Sequence, residues 1–390
     1  MDSAAATQGD ARERESASLL QVYGQLPFVP VRATGCDIIT SDGRKILDLY
    51  GGHAVAALGY SHPRLYAAME QQCRELLFQS NAVALDIRAE AAERLLEVAP
   101  DSLQRAFFVN SGAEANENAL RMACVATGRS RVLAISHGFH GRTAAAGAVT
   151  WKSESWYGFP HKPLDVDFIP RDDSRMAEQM INGDVAAVIF EPVQGVAGAY
   201  DLAPEFLKTL RAATRKHGAL LIADEVQSGM GRSGHFFAVQ KNAIEPDIMT
   251  LAKALGGGIP CGAVLCSGSV AEHFGGGSLG STFGGGPVAA AAIVATITAI
   301  TADELLRNVR ERERQIREQC CVGPVTRVQG MGLLLGLVCA RPAAAVRDEL
   351  LARDILTGTS ADPNVLRILA PLTITEHHVK RLAQALADFH

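Results

Sequence analysis

Apolar residues along the chain fall into short, nearly continuous runs that alternate with segments patterned at helical spacing. The runs at 106–110, 131–135, 185–190, 219–226, 247–252 and 262–267 have strand length and little inner alternation, the mark of strands covered on both faces. Helix-patterned segments such as 113–126 and 204–217 lie between them. This strand–helix order predicts an α/β fold, a mostly parallel central sheet with helices on both faces. Gly275–Gly277 and Gly284–Gly286 mark loops, the second opening an alanine-rich helix from Pro287. After about Asp303 the texture changes. A charged helix (303–319), a strand-like run (325–339), a helix (343–353), a strand (365–369) and a closing helix (375–389) predict a smaller α+β domain. The expected division is an N-terminal segment, 1–45, packing on the small domain, a large domain, 46–285, and the small domain, 286–390. The first fifteen or so residues are expected to be disordered.

Composition narrows the function classes. A chain of 390 residues with 48% hydrophobic content supports two or more domains around a large core. The net charge of −5, with no basic block, argues against nucleic acid or an anionic membrane as partner. The eight cysteines are scattered, with no C-x-x-C pair or histidine spacing, so free thiols in a reducing compartment are expected and no metal site is. The first ten residues carry neither a basic cluster nor an apolar core, so no secretory signal is expected and the cytoplasm is the expected location. The longest apolar stretch, 287–300, is too short to span a bilayer.

Candidate chemistry begins at Lys253, in Leu-Ala-Lys-Ala-Leu-Gly-Gly-Gly (251–258), at the end of a buried run. Such a lysine snorkels to solvent, meets a carboxylate, or has its pKa pushed down until it is a nucleophilic amine. A neutral amine in a protected pocket condenses with aldehydes, that of pyridoxal phosphate among them. Upstream, Ala-Leu-Leu-Ile-Ala-Asp-Glu-Val-Gln (219–227) delivers carboxylates to a strand's C-terminal edge, where open α/β sheets bind ligands. Asp224 is placed to keep a pyridine nitrogen protonated, Val226 to pack on the ring face, and Gln227 to reach the ring hydroxyl. At 106–123 a β-rich run passes through Ser-Gly-Ala into a helix. Ser111 and Glu114 make a capping box, and the free N–H groups of Gly112 and Ala113 make a phosphate site. Neither a Walker loop nor G-x-G-x-x-G is present there, which disfavours a nucleotide.

Six motifs then occur in order: Ser-Gly-Ala-Glu-Ala-Asn-Glu (111–117), His-Gly-Phe-His-Gly-Arg-Thr (137–143), Glu-Pro-Val-Gln-Gly (191–195), Asp-Glu-Val-Gln-Ser-Gly-Met-Gly-Arg-Ser-Gly (224–234), Ala-Lys-Ala-Leu-Gly-Gly-Gly (252–258) and Gly-Ser-Thr-Phe-Gly-Gly (280–285). Together they resemble the class III aminotransferases, pyridoxal phosphate enzymes of fold type I, from about Tyr23 to the C-terminus. The resemblance implies that Phe139 stacks on the cofactor ring opposite Val226 and that Glu191 belongs to the cofactor site. It implies a homodimer with shared active sites, in which Thr282 reaches the cofactor phosphate of the neighbouring subunit. It gives Arg142 the α-carboxylate of an acylornithine, Arg367 the α-carboxylate of glutamate, and Tyr23 and His53 places in the substrate site. The implied reaction moves the ω-amino group of an N-acylornithine, acetyl or succinyl, to 2-oxoglutarate, giving a semialdehyde and glutamate in arginine biosynthesis. Ornithine or 4-aminobutyrate transamination, or a fold-related racemase, are the alternatives.

Two positions depart from most of that family. Val196 stands where a glutamate usually neutralises the glutamate-binding arginine, and His53, in Gly-Gly-His-Ala-Val (51–55), stands where isoleucine or tyrosine is usual. This pair resembles a subgroup of acylornithine aminotransferases, some thought to use N-succinyl intermediates. A histidine can hydrogen-bond or pair with an extra carboxylate.

Overall fold

The computed structural model describes residues 10–389. Its largest sheet has seven strands, β1 (Arg105–Val109), β2 (Arg131–Ile135), β3 (Asp165–Ile169), β4 (Val185–Phe190), β5 (Leu220–Asp224), β6 (Ile248–Leu251) and β7 (Gly262–Cys266). They lie side by side as β1-β7-β6-β5-β4-β2-β3. Only β7 runs antiparallel to its neighbours; the remaining pairs are parallel. All of β4 is buried, which is why its sequence shows no alternation. The edge strand β3 was not among the expected strands. Its Asp-Val-Asp-Phe-Ile alternates exposed and half-buried positions, because only one face meets the core, and two aspartates interrupt the apolar run.

Helices cover the sheet as the periodicity predicts. Gly112–Thr127 packs on β4 to β7 and stops at Gly128, whose φ of 67° makes a left-handed cap. Pro204–His217 opens with proline, closes on Arg215, Lys216 and His217, and is likewise ended by Gly218. Pro287–Ala302 is apolar all round and is wedged against Pro63–Glu75 and Asp86–Val98. No single helix among the described residues is long and apolar enough to cross a membrane.

The two ends of the chain meet. Strands Pro30–Thr34, Asp37–Thr40 and Lys45–Asp48 form an antiparallel meander, and Ile355–Leu356 adds to it in parallel, Ile355 opposite Leu47. A second antiparallel sheet joins Val325–Met331, Leu334–Cys339, Val365–Ile368 and Gly358–Thr359. The expected strand-like run 325–339 is therefore a hairpin, turned at Gly332 with φ of 61°. A Cβ there would strike the Arg232 carbonyl, so only glycine fits. Contrary to the expected disorder, Ala11–Ser18 is helical with no buried residue; alternating arginine and glutamate are good helix formers. The first nine residues of that expectation lie outside the described ones.

Ile222, fully buried two residues before the strand end, tests how far the sheet depends on this packing. Ile222→Ala is expected to cost about 2–5 kcal/mol and Ile222→Val about 0.5–1.5 kcal/mol, measured as a graded fall in Tm by calorimetry.

Candidate active site

The parallel strands deliver their ends to one edge of the sheet, and there a cavity of about 480 Å³ opens. Ser111, Gly112, Ala113, Phe139 and Arg142 line it from the β1 and β2 side. Glu191, Asp224, Val226, Gln227 and Lys253 line it from β4, β5 and β6. Strand alternation divides the paired carboxylates of β5. Asp224 enters the cavity, while Glu225 turns away and accepts from Ser228 Oγ (2.5 Å) and Val239 N (2.8 Å).

Asp224 is only 3% exposed, and its charge is held by convergent partners. Oδ2 lies 2.7 Å from His140 Nδ1 and accepts from Asn116 Nδ2 at 2.7 Å; Oδ1 accepts from Val226 N at 3.0 Å. The register that sets Asp224 opposite Thr250 completes the network, because Thr250 Oγ1 donates to Asn116 Oδ1 at 2.6 Å. His140 Nε2 is buried with no hydrogen-bond partner among the described residues. Both Asn116 and His140 lie inside motifs quoted above, yet nothing in their spacing assigned them this role.

Lys253 follows β6 with φ of 45°, a left-handed conformation that costs a non-glycine residue about 1–3 kcal/mol and is concentrated at functional sites. It makes no hydrogen bond or ion pair with the described residues. Burial holds its amine below the usual lysine range, while Asp224 and Glu191 pull it back up and Arg367 pushes it down. Glu191 is pushed up to about 7, first by burial, then by Asp224 against the opposing effect of His140. Its Oε1 accepts from Phe139 N at 2.8 Å, so this carboxyl fixes the backbone that carries Phe139.

The wall opposite is the start of helix Gly112–Thr127. Ser111 Oγ accepts from Glu114 N (3.1 Å), half of the expected capping box. The other half is shifted by a residue, since the Glu114 carboxylate accepts from Asn110 N (2.8 Å) instead of Ser111 N. Gly112 is needed here because a Cβ would stand 2.7 Å from Val226 Cγ1. Gln227 Oε1 is buried against the Cα of Gly195, with no hydrogen-bond partner among the described residues.

The arginines are set differently. Arg142 is exposed at the cavity rim, its guanidinium 5.3 Å from the centroid of the Trp156 ring. The following turn is pinned by Glu117, which accepts from Thr143 Oγ1, Ala145 N and Ala146 N at 2.7–3.0 Å. Glu117 is a second positioning residue that the motif alone did not disclose. Arg367, 7% exposed, does not line the cavity. It donates from Nη2 to Tyr50 Oη (2.7 Å), from Nε to Thr359 O (2.7 Å) and from Nη1 to Gly195 O (3.4 Å). His53 is exposed beside this group, edge-on to Tyr50 with ring centroids 4.8 Å apart. Burial, Arg367 and Lys253 together lower its pKa. Thr282 and Tyr23 are exposed and do not line the cavity.

These features suit a flat, phosphorylated heteroaromatic aldehyde. An amine with no ionic partner among the described residues, a buried carboxylate, the Gln227 amide, a helix start, Phe139 and Val226 all line one cavity.

Comparison with known proteins agrees. The family model described as aminotransferase class-III matches residues 20–389. The acetylornithine aminotransferase of Methanopyrus kandleri is 40% identical over 385 residues, covering 97% of this chain and 98% of that one. The N-acetylornithine aminotransferase of Stenotrophomonas maltophilia K279a superposes with a TM-score of 0.81 at 32% identity, covering 96% and 98%. The ornithine aminotransferase of Toxoplasma gondii, with partial occupancy of PLP at its active site, gives a TM-score of 0.90 at 26% identity, covering 96% and 93%. The chain belongs to the class III aminotransferases, pyridoxal-phosphate-dependent transaminases of fold type I.

Proposed function

We propose that this protein transfers the ω-amino group of an N-acylornithine to 2-oxoglutarate, as a cytoplasmic homodimer with pyridoxal phosphate bound at Lys253. The observation that carries this reading is Lys253 itself, a half-buried lysine with lowered pKa, lining the same cavity as a carboxylate that three protein groups hold. The names of relatives across nearly the full length support the donor.

Pyridoxal phosphate, when bound, supplies an electron sink that acidifies the substrate carbon carrying the amine. The Asp224 carboxylate, oriented by Asn116 and His140, would partner the ring nitrogen. The amide N–H groups of Gly112 and Ala113 would take the phosphate. Phe139 and Val226 would cover the ring and exclude water. Lys253 Nζ accepts the proton from the substrate carbon and later returns it. Arg142, exposed at the rim and held by the Glu117-capped turn, takes the α-carboxylate of the acylornithine, for which a guanidinium fork is suited. Arg367 takes the α-carboxylate of 2-oxoglutarate and glutamate, with His53 beside it. Thr282, exposed on one chain, reaches the phosphate held by the other subunit, and Tyr23 contributes to the substrate site. The exposed Phe78 and Phe283, 5.2 Å apart by ring centroid, extend an apolar surface near Thr282 that such a dimer would cover.

The donor is tested by comparing kcat/KM for N-acetylornithine, N-succinylornithine, ornithine and 4-aminobutyrate. An N-acylated ornithine should clearly exceed free ornithine; preference for ornithine, or turnover without 2-oxoglutarate, would overturn the assignment. Arg142→Ala should remove about 2–5 kcal/mol of binding, a loss of roughly thirtyfold or more in kcat/KM for the acylornithine.

Lys253→Ala should abolish the visible absorption of bound cofactor and lower turnover by at least about a hundredfold. In the wild type, the rate at which the cofactor-free protein captures pyridoxal phosphate should follow the neutral amine. Because the pKa is lowered, this rate should reach half its plateau at a pH below the ordinary lysine value of about 10.4.

A further inference from the structure

Arg367 is a buried cation whose hydrogen bonds among the described residues all go to neutral oxygens. Gly195, whose carbonyl Nη1 reaches, precedes Val196, an apolar residue of the cavity wall. Taking a guanidinium out of water is costly unless an anion bonds it. The Glu191 carboxyl acts on this one without forming an ion pair, and among the described residues Nη1 and Nη2 each make a single hydrogen bond, so a ligand carboxylate would complete the group.

Tyr50 is the only side chain among the described residues that bonds this guanidinium. Its position is fixed from several directions. Its N–H donates to the buried Asp48 Oδ1 (2.7 Å). Its ring lies on the Cα of Gly358, where a Cβ would strike it, and His53 meets it edge-on. The four residues that follow, Gly51, Gly52, His53 and Ala54, all have φ between 55° and 68°. This left-handed turn brings His53 back over Tyr50. The hydroxyl accepts from Arg367 and makes no other hydrogen bond among the described residues, so its proton is unspent. Burial pushes the phenol above its usual range, with Arg367 pulling it down and Asp48 pushing it up. It therefore keeps that proton at neutral pH and adds a donor without cancelling the charge of Arg367.

We propose that Tyr50 is a specificity-determining residue, whose hydroxyl donates to the same substrate carboxylate that the Arg367 guanidinium grips. The subsite is a carboxylate site built from N–H groups on Nη1 and Nη2 and the O–H of Tyr50. A carboxylate in place of Tyr50 would compete with the substrate for the guanidinium; a phenol joins it in binding the substrate. The class of ligand selected is a dicarboxylate such as 2-oxoglutarate, or an amino donor whose acyl group ends in a carboxylate. This rests on the proposed transamination only for the role of Arg367 toward the acceptor.

The test uses the holoenzyme and glutarate, a dicarboxylate that cannot react, with binding read by isothermal titration calorimetry. Tyr50→Phe keeps the ring and removes only the hydroxyl. The Kd for glutarate and the KM for 2-oxoglutarate should each rise by about tenfold, the usual worth of a hydrogen bond to a charged group, with the KM change exceeding any change in kcat. In an Arg367→Ala background the same substitution should change the glutarate Kd by less than about twofold, because both donors act on one carboxylate. An unchanged Kd in Tyr50→Phe, or a full tenfold loss in the Arg367→Ala background, would overturn the proposal. Turnover of N-acylornithine by the wild type judges the functional reading separately, since glutarate binding requires no amino donor.

Discussion

A carboxylate that must stay charged while almost wholly out of water is the constraint around which the site is arranged. Removing a charge from water costs several kcal/mol or more unless hydrogen bonds replace the lost hydration. Asp224 meets that demand with Asn116, His140 and its own turn at Val226. Each partner is held in turn, Asn116 by Thr250 on the next strand and the His140 backbone by Thr150. The sheet register, the first helix after β1 and the loop after β2 are thus fixed relative to one another by one charge. A small slip of β6 against β5 would move Thr250 away from Asn116 and leave polar groups unpaired. That is a stiff form of organisation, suited to holding an aromatic ring at a fixed tilt.

The remaining charges are graded around this anion. Glu191, with its pKa near neutrality, carries less negative charge than its formal count. Burial lowers the pKa of Lys253, both carboxyls raise it, and Arg367 lowers it again.

Much of this was legible in the sequence because strand ends and helix starts leave local signatures. The apolar run into Asp224, the lysine after the next run and Ser-Gly-Ala before a helix each point to a sheet edge, and the structure brings Lys253, Asp224, Phe139 and Gly112 to one cavity. The supporting residues were not legible. Asn116 and Glu117 sit in a helix at positions that read as an ordinary polar face, and only tertiary packing buries the first and turns the second onto a neighbouring helix start. Tyr50 reads as another aromatic of an apolar stretch until strand Val365–Ile368 brings Arg367 to its hydroxyl. The edge strand β3 escaped because its sequence is half solvent-facing.

The meeting of the chain's two ends bears on how the molecule is made. Lys45–Asp48 pairs early with Asp37–Thr40, but its other edge waits for Ile355–Leu356, and β1, among the described residues, pairs only with β7. During synthesis, which adds about 5–20 residues per second, these edges emerge long before the strands that cover them. Lys45–Asp48 carries a buried Ile-Leu-Asp edge through that interval. One edge of the meander and the whole of β1 thus stay uncovered for much of synthesis, open edges of the kind that invite pairing with other chains.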